Sequence, residues 1–334
     1  MSMNAETLLP WLREPWRTLQ TGIRDERIPQ ALLIQGPSGL GKEKLAETYA
    51  HRLLCRRPGE FACGECPGCR LFLAGTHPDY LRIQPAEAGK AIGVDAIRDL
   101  IATLALKPQY GGYRVVVIAP AHLMNLNAAN ALLKTLEEPA ERTLLILLSE
   151  ASGSLPATIL SRCLRLPIAQ PDPAGVCVWL KSQGVETPEI PLAVALGSPL
   201  RALALAGSES IARRQTVFTE FLGLLHGRMD PLPLAERWFP QANEDLAEWL
   251  LAWTTDLVLL AGARDCPRLY NPDLRKELAV LAQRLPLDGL LESWDRVLKA
   301  KRGIAGQINR QLLLEELLIH WWRLGRLHLD RENR

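Results

Sequence analysis

The chain lacks any apolar run long enough to cross a membrane, because none reaches the roughly 18 to 20 residues that a spanning helix needs. Residues 1–7 also lack the basic and apolar regions of a secretory leader. A strong excess of charge of one sign is missing too, since 39 basic and 37 acidic residues leave a net charge of only +2. We therefore expect a cytoplasmic protein without a membrane partner, in which any contact with DNA is local or shared with other proteins.

The length of 334 residues and the hydrophobic content of 48% exceed what one core usually holds, which favours two or three domains. Between residues 1 and 168, apolar strand-like runs alternate with helical runs, and this alternation predicts a parallel α/β sheet. The predicted strands cover residues 31–35, 80–84, 114–119, 143–149 and 164–168. The predicted helices between them cover residues 42–54, 95–106 and 127–138.

The second half of the chain has helical periodicity and almost no strand character. A proline-rich stretch at 168–174 indicates a domain boundary, so we expect an α/β domain over 1–168, a small helical domain over 169–207 and an all-α domain over 208–334. Six of the nine tryptophans lie in the predicted all-α domain over 208–334, and most should pack inside that domain. The segment 310–322 is apolar around much of its circumference, which favours contact with a partner.

A phosphate-binding loop follows the first predicted strand. The sequence from Gly36 to Lys42, GPSGLGK, has the glycines and the lysine of a Walker A motif, so Gly36, Gly39, Gly41 and Lys42 are the candidate nucleotide-binding residues. The next position should carry a Ser or Thr hydroxyl for magnesium, but it is Glu43. The loop could still bind phosphate through its amides and the helix N-terminus, or it could serve only the fold.

The carboxylates that a hydrolysing site needs are also missing. The strand over 114–119 should end in an Asp or an Asp-Glu pair that orders the metal and the attacking water, but Ala119 and Pro120 stand there. Together with Glu43, these residues remove three metal or water contacts from one site. We therefore predict no ATP hydrolysis in cis, and ATP binding in cis is not expected.

Four of the seven cysteines fall within fifteen residues, at Cys55, Cys63, Cys66 and Cys69. Four thiolates at this spacing suit a tetrahedral zinc ion, and a closed four-sulfur site would be structural. An iron–sulfur cluster, disulfides and a chance grouping are the alternatives. His77 is expected to be a turn or supporting residue. The remaining cysteines, Cys163, Cys177 and Cys266, are expected to be ordinary thiols.

Several motifs together resemble the AAA+ clamp-loader family. They are His77 to Asp79, Gly93 to Arg98, Asn127 to Pro139 with the sequence NAANALLKTLEEP, Leu155 to Cys163 ending in SRC, and Gly303 to Arg310. The resemblance implies a RecA-like AAA+ domain with a zinc module, a small helical lid domain and a C-terminal domain that joins a five-membered collar. It also implies motor subunits and a delta subunit as partners, together with a sliding clamp and primer–template DNA.

Arg162 is the functional residue that the resemblance singles out. In the family, the arginine of the SRC motif enters the nucleotide site of a neighbouring subunit, where a guanidinium neutralises charge on the transferring phosphoryl group. The alternative is a surface arginine in a local salt bridge. Ser149 stands near the position of a polar sensor residue or is a plain strand terminus, and Arg201 resembles a second sensor arginine or is a solvated helix residue.

Three functions compete at this point. The first is a non-hydrolysing clamp-loader subunit that supplies Arg162 in trans. The second is an AAA+ ATPase that hydrolyses ATP in cis with an unusual metal site. The third, an independent zinc-dependent nucleic-acid binder, is disfavoured by the near-neutral charge and by few basic residues around the cysteines.

Overall fold

The computed structural model describes residues 8–57, 59–87, 90–110, 112–150, 155–241, 244–263, 269–304 and 309–328. The chain divides into two compact units, and the boundary falls between Asp172 and Pro173. The expected further division at residue 207 stays a prediction. Cys266 and residues 305–308 of the last motif lie outside the described residues. None of the helices within the described ranges combines the length and apolarity needed to span a bilayer.

A five-stranded parallel sheet forms the centre of the first unit, in the order β2-β3-β4-β1-β5. Its strands are β1 (Ala31–Gln35), β2 (Tyr80–Ile83), β3 (Arg114–Ile118), β4 (Thr143–Ser149) and β5 (Leu164–Pro167). β3 and β4 are buried along their whole length and β1 over all but its last residue. Such near-continuous runs of Val, Ile and Leu are typical of parallel strands covered on both faces. The predicted parallel α/β fold of AAA+ type is confirmed.

The strand ends differ from the prediction by one residue at three places. Ala119 and Ile168 fall just outside β3 and β5, although both still pair with a neighbouring strand. The Ala119 N–H donates to the Ile83 carbonyl at 2.9 Å, and the Ile168 N–H donates to the Gln35 carbonyl at 2.7 Å. The differences therefore concern where regular pairing stops, and the strand positions are as predicted.

Helices connect the strands and cover the sheet. They are α1 (Arg13–Arg24), α2 (Lys42–Leu54), α3 (Pro67–Leu73), α4 (Val94–Leu104), α5 (Leu126–Glu137) and α6 (Ala157–Leu160), with short 3-10 helices at Pro10–Leu12 and Ala121–Leu123. The start of α5 is fixed by Asn125, whose side-chain oxygen accepts the Ala128 N–H at 2.8 Å. This cap places the helix one residue earlier than predicted.

The described residues of the second unit are helical and contain no strand. The helices are α7 (Pro173–Ser182), α8 (Glu189–Val194), α9 (Pro199–Ala206), α10 (Ser210–Leu225), α11 (Pro231–Trp238), α12 (Glu244–Gly262), α13 (Arg275–Arg284), α14 (Leu287–Ile304) and α15 (Arg310–His328), with 3-10 helices at Phe239–Gln241 and Pro272–Leu274. Trp253 and Trp321 are fully buried, and both pack on Phe221 with ring centroids 5.6 and 5.1 Å away. Tryptophan thus supplies much of this core, as the sequence predicts.

Candidate functional site

The phosphate loop follows β1 and passes close to Ile168, in the segment that follows β5. A Cβ atom on Gly36 would lie 2.4 Å from the Ile168 carbonyl oxygen, so only glycine fits beside the segment that follows β5. At the other end of the loop, Gly41 is the N-cap of α2 and has a φ of 86°. Both glycines are therefore required by the backbone, whether or not a nucleotide binds.

Lys42 turns towards its own loop. Its Nζ donates to the carbonyls of Gly36 and Pro37, each at 2.7 Å, and the residue is buried. Burial lowers the pKa of Lys42, whereas the charges of Glu150 and Glu43 oppose that shift. The ammonium that would hold the β- and γ-phosphates is thus engaged by the loop backbone.

Glu43, at the position expected for the magnesium hydroxyl, forms an ion pair with Arg82 of β2 at 2.8 Å. Arg82 also bonds to Glu47, one turn further along α2, at 2.9 Å. The Glu43 side chain is 59% exposed. These contacts direct the Glu43 carboxylate to β2 and pair it with a cation.

The position of the missing carboxylates is filled by buried apolar structure. β3 ends at Ile118, and Ala119 is 3% exposed, so no acidic group stands at this strand end. Ser149 lies opposite Gln35 in the register of β1 and β4, and the Gly36 N–H donates to its carbonyl at 3.2 Å. The structure therefore brings the backbone of Ser149 to the start of the loop, and its role as a sensor residue stays a prediction.

Arg162 lies near the amino-terminal ends of the strands, whereas the loop lies at their carboxyl-terminal ends. β5 pairs with β1 so that Leu164 is level with Leu32, and Arg162 precedes Leu164. The loop begins at Gly36, four residues beyond Leu32, which corresponds to about 13 Å along a strand at ~3.3 Å per residue. The Arg162 guanidinium therefore does not belong to the nucleotide loop of its own chain.

Every nitrogen of the Arg162 guanidinium has a partner in this chain. Nε donates to Glu137 Oε1 at 2.8 Å, and Nη2 donates to the same oxygen. Nη1 donates to the Thr158 carbonyl at 2.9 Å and to Ser161 Oγ at 3.3 Å. The side chain is still 33% exposed, so the guanidinium is oriented at the surface.

Arg201 of α9 is partly exposed and ion-paired. Its Nη2 bonds to Glu248 of α12 and lies 3.5 Å from Asp245, while Lys301 of α14 donates to Glu248 at 3.2 Å. Burial alone would raise the pKa of Glu248, but the hydrogen bonds and charges of Arg201 and Lys301 lower it. Arg201 thus takes part in an ion-pair network within the second unit.

The four clustered cysteines meet in space, and their sulfur atoms all lie within 4.8 Å of one another. Two separations are 3.8 Å, between Cys63 and Cys69, and 4.0 Å, between Cys66 and Cys55. A disulfide needs about 2.05 Å, so none joins these sulfur atoms. A tetrahedron with metal–sulfur bonds of about 2.3 Å has edges of about 3.8 Å, and the cluster could hold a metal ion of that kind.

Backbone amides surround the sulfur atoms. The N–H groups of Cys63, Cys66 and Cys69 donate at 3.4 Å to the sulfur atoms of Cys55, Cys63 and Cys66 in turn. Burial would raise the pKa of Cys66, but amide and thiol donors lower it to about 6, whereas burial raises the pKa of Cys69. His77 accepts the Asp79 N–H at its Nδ1, and the four-thiol group does not include it.

The sequence alone did not point to two acidic partners of arginines, Asp79 and Glu137. Asp79, in the His-Pro-Asp motif, is fully buried and accepts the N–H groups of Gln109 and Tyr110, while Arg114 lies 3.4 Å away. Glu137 was equally overlooked, although it stands inside the LEEP segment that carries the resemblance. Both are acidic residues inside motifs that resemble the family. Their place in those motifs is the sequence feature that could have pointed to them.

The sheet order, the glycine loop after β1 and the lysine at the start of α2 define the class: a P-loop protein with the AAA+ fold. Two family models match the chain, described as DNA polymerase III, delta subunit, over residues 11–172, and as DNA polymerase III, delta subunit, C terminal, over residues 208–323.

Proteins named DNA polymerase III subunit delta' are similar over nearly the whole chain. The one from Pseudomonas aeruginosa is 38% identical over 321 residues, covering 94% of this chain and 97% of that protein. The one from Escherichia coli is 33% identical over 322 residues, covering 93% and 94%. A DNA polymerase III subunit tau from Bacillus subtilis is 36% identical over 150 residues, covering 45% and 26%. This chain belongs to the delta-prime family of DNA polymerase III clamp-loader subunits.

Proposed function

We propose that this chain is the non-hydrolysing, stator subunit of a clamp loader, which lends Arg162 to the nucleotide site of a neighbouring motor subunit. Two features support the lack of hydrolysis in cis. Glu43 stands in place of the magnesium hydroxyl and is paired with Arg82, and Ala119 stands where a metal-binding carboxylate is needed. Phosphoryl transfer depends on positioned charge, which this loop lacks.

The observation that carries the proposal is the place of Arg162. It lies at the amino-terminal edge of the sheet, while its own loop lies at the carboxyl-terminal edge. Because Arg162 is partly exposed and remote from its own loop, it could reach a site on another chain by turning from its salt bridge with Glu137. There the guanidinium would neutralise charge that develops on the transferring phosphoryl group.

Glu137 gives Arg162 its orientation. Two nitrogens of the guanidinium bond to one carboxylate oxygen, and a third bonds to the Thr158 carbonyl. Because finger action needs a fixed geometry, this arrangement would hold the side chain ready before the subunits meet. On assembly, Nη1 and Nη2 would turn partly from these partners to the phosphate.

The remaining parts of the proposal concern the assembly. The motor subunits and the delta subunit are the partners, and the complex acts on a sliding clamp and primer–template DNA. The four cysteines hold structural zinc, which is supported by sulfur atoms close enough for one ion and too close for a cage of several irons. Residues 1–168, 169–207 and 208–334 form the AAA+, lid and collar domains.

ATPase assays separate this proposal from its rival, a motor subunit that hydrolyses ATP in cis. The purified chain is assayed alone and then together with motor subunits, the delta subunit, clamp and primed DNA. We expect no turnover above background from the chain alone and a rise in the motor subunits' rate when it is added. Turnover by the isolated chain, abolished by Lys42→Ala, would support the rival and contradict the proposal.

A further inference from the structure

A row of arginines follows one face of α1. At about 100° per residue, Arg13, Arg17, Gln20 and Arg24 fall within roughly 60° of one another around the helix. The adjoining side, centred about 100° away around the helix, buries Trp16 and Leu19 in the unit. All three arginines are exposed, and no carboxylate of the described residues forms a salt bridge with them. Helical spacing thus separates a cationic face from an apolar face.

The row borders an open hollow of about 490 Å³. Arg17 and Arg24 form one side of it, Arg52 of α2 forms a second, and residues 59–60 form a third. Three guanidinium groups meet there, and Glu60 supplies the one acidic side chain among the described lining residues. The hollow therefore has a local excess of positive charge that the net charge of +2 for the whole chain conceals.

Hydrogen bonds fix the walls of the hollow. Arg52 Nε donates to the Gly59 carbonyl at 2.7 Å, and Gln20 Nε2 donates to the Glu60 carbonyl at 2.6 Å. On the apolar side of α1, Trp16 stacks on Phe61 with a centroid distance of 5.1 Å. These contacts join α1 and α2 to residues 59–61, so that the surface carrying the arginines has a defined shape. The terminal nitrogens of Arg52 have no hydrogen-bond partner among the described residues and remain available to a ligand.

We propose that this hollow and the Arg13–Arg24 face bind the phosphodiester backbone of a nucleic acid. The row extends for about 16 Å, at ~1.5 Å of rise per residue. One strand of B-DNA presents a phosphate about every 3.4 Å of axis, so several phosphates lie within reach of the row. A free triphosphate would engage only part of it. The site shares no residue with the nucleotide loop or with Arg162, and it contacts phosphates without reading bases.

Fluorescence anisotropy of a labelled oligonucleotide, offered as single strand and as duplex, tests this site on the full chain. The variant is Arg17→Glu with Arg24→Glu. The matched control is Arg228→Glu with Lys276→Glu, two exposed residues of the second unit, and both double variants change the net charge from +2 to −2. At ~50 mM salt we expect the first variant to bind at least about tenfold more weakly and the control to bind within about twofold of wild type.

Salt dependence and a compact competitor complete the test. For Arg17→Gln with Arg24→Gln, the slope of log K against log salt should be smaller by about 2, because two phosphate contacts are lost. If the variant and the control lose the same amount of affinity for the oligonucleotide, the effect comes from net charge alone and the proposed site is wrong. The absence of binding by the wild-type chain at ~50 mM salt would also overturn it. If inorganic tripolyphosphate binds the hollow more tightly than the oligonucleotide does, the ligand of the hollow is a compact polyphosphate, and the proposed nucleic-acid site is wrong.

Discussion

Arg162 donates two hydrogen bonds to a single carboxylate oxygen of Glu137, at the sheet edge opposite the nucleotide loop. The pair joins the turn after α6 to the carboxyl end of α5, and both partners are partly exposed. An exposed ion pair of this kind adds little to stability. Its value lies in fixing the direction of a guanidinium that has no role at its own loop.

Glu137→Ala should therefore lower the ATPase rate of the assembled loader. Freed from its carboxylate, Arg162 would sample several rotamers, and a displacement of ~1 Å at a catalytic group can cost up to about 10²-fold. We expect a loss of about tenfold with assembly unchanged, measured as steady-state ATPase with clamp and primed DNA. Glu138→Ala, at the exposed neighbouring position, is the control and should keep the wild-type rate. A rate above wild type in Glu137→Ala would mean that Glu137 restrains Arg162.

The cysteine cluster predicts about one zinc ion per chain. Cys69→Ser should lose the metal because a three-sulfur site binds zinc more weakly, whereas Cys163→Ser, a buried thiol outside the cluster, should retain it. Elemental analysis of the purified variants measures both. Full metal content in Cys69→Ser, or iron in the wild-type chain, would contradict the zinc assignment.

Asp79→Ala should destabilise the first unit by about 3–5 kcal/mol, because it leaves the Arg114 cation buried without a counter-charge. The two N–H groups that Asp79 accepts would also lose their partner. Asp95→Ala removes a carboxylate that is 89% exposed and should cost less than about 1 kcal/mol. Urea unfolding of the two variants gives the comparison. Similar losses would mean that the buried network contributes no more than a surface pair.

The Glu248 network predicts a dependence of stability on acid. The folded pKa of Glu248 lies below its usual value of 4.5, so the folded state stays charged while the unfolded chain takes up a proton. Its stabilising contribution is complete above pH 4.5 and is lost as the pH falls through the folded pKa. The difference in unfolding free energy between wild type and Glu248→Gln should therefore shrink as the pH falls below 4.5. A difference that stays constant with pH would contradict this.

Strand positions and the cysteine cluster were predictable because their signals are local. Mainly apolar runs placed all five strands within one residue of their ends, and cysteine spacing alone placed four sulfur atoms together. The partners of the charged residues were not predictable, because they are either backbone carbonyls or side chains from distant segments. Neither the Lys42 bonds to its own loop nor the link from Arg201 to Glu248 leaves a periodic pattern. The arginine row on α1 is periodic, but the sequence does not show that Arg52 and Gly59 line a hollow beside it.

The most direct test of a trans-acting Arg162 is the ATPase rate of a loader assembled with the Arg162→Ala chain. The control is Arg165→Ala, which removes an exposed arginine three residues away, in β5. Arginine fingers contribute about 10³–10⁵ in rate at the site that they serve, so the Arg162→Ala loader should lose most of its clamp-stimulated ATPase while the complex still forms. The Arg165→Ala loader should keep it. A wild-type rate in the Arg162→Ala loader would contradict the account.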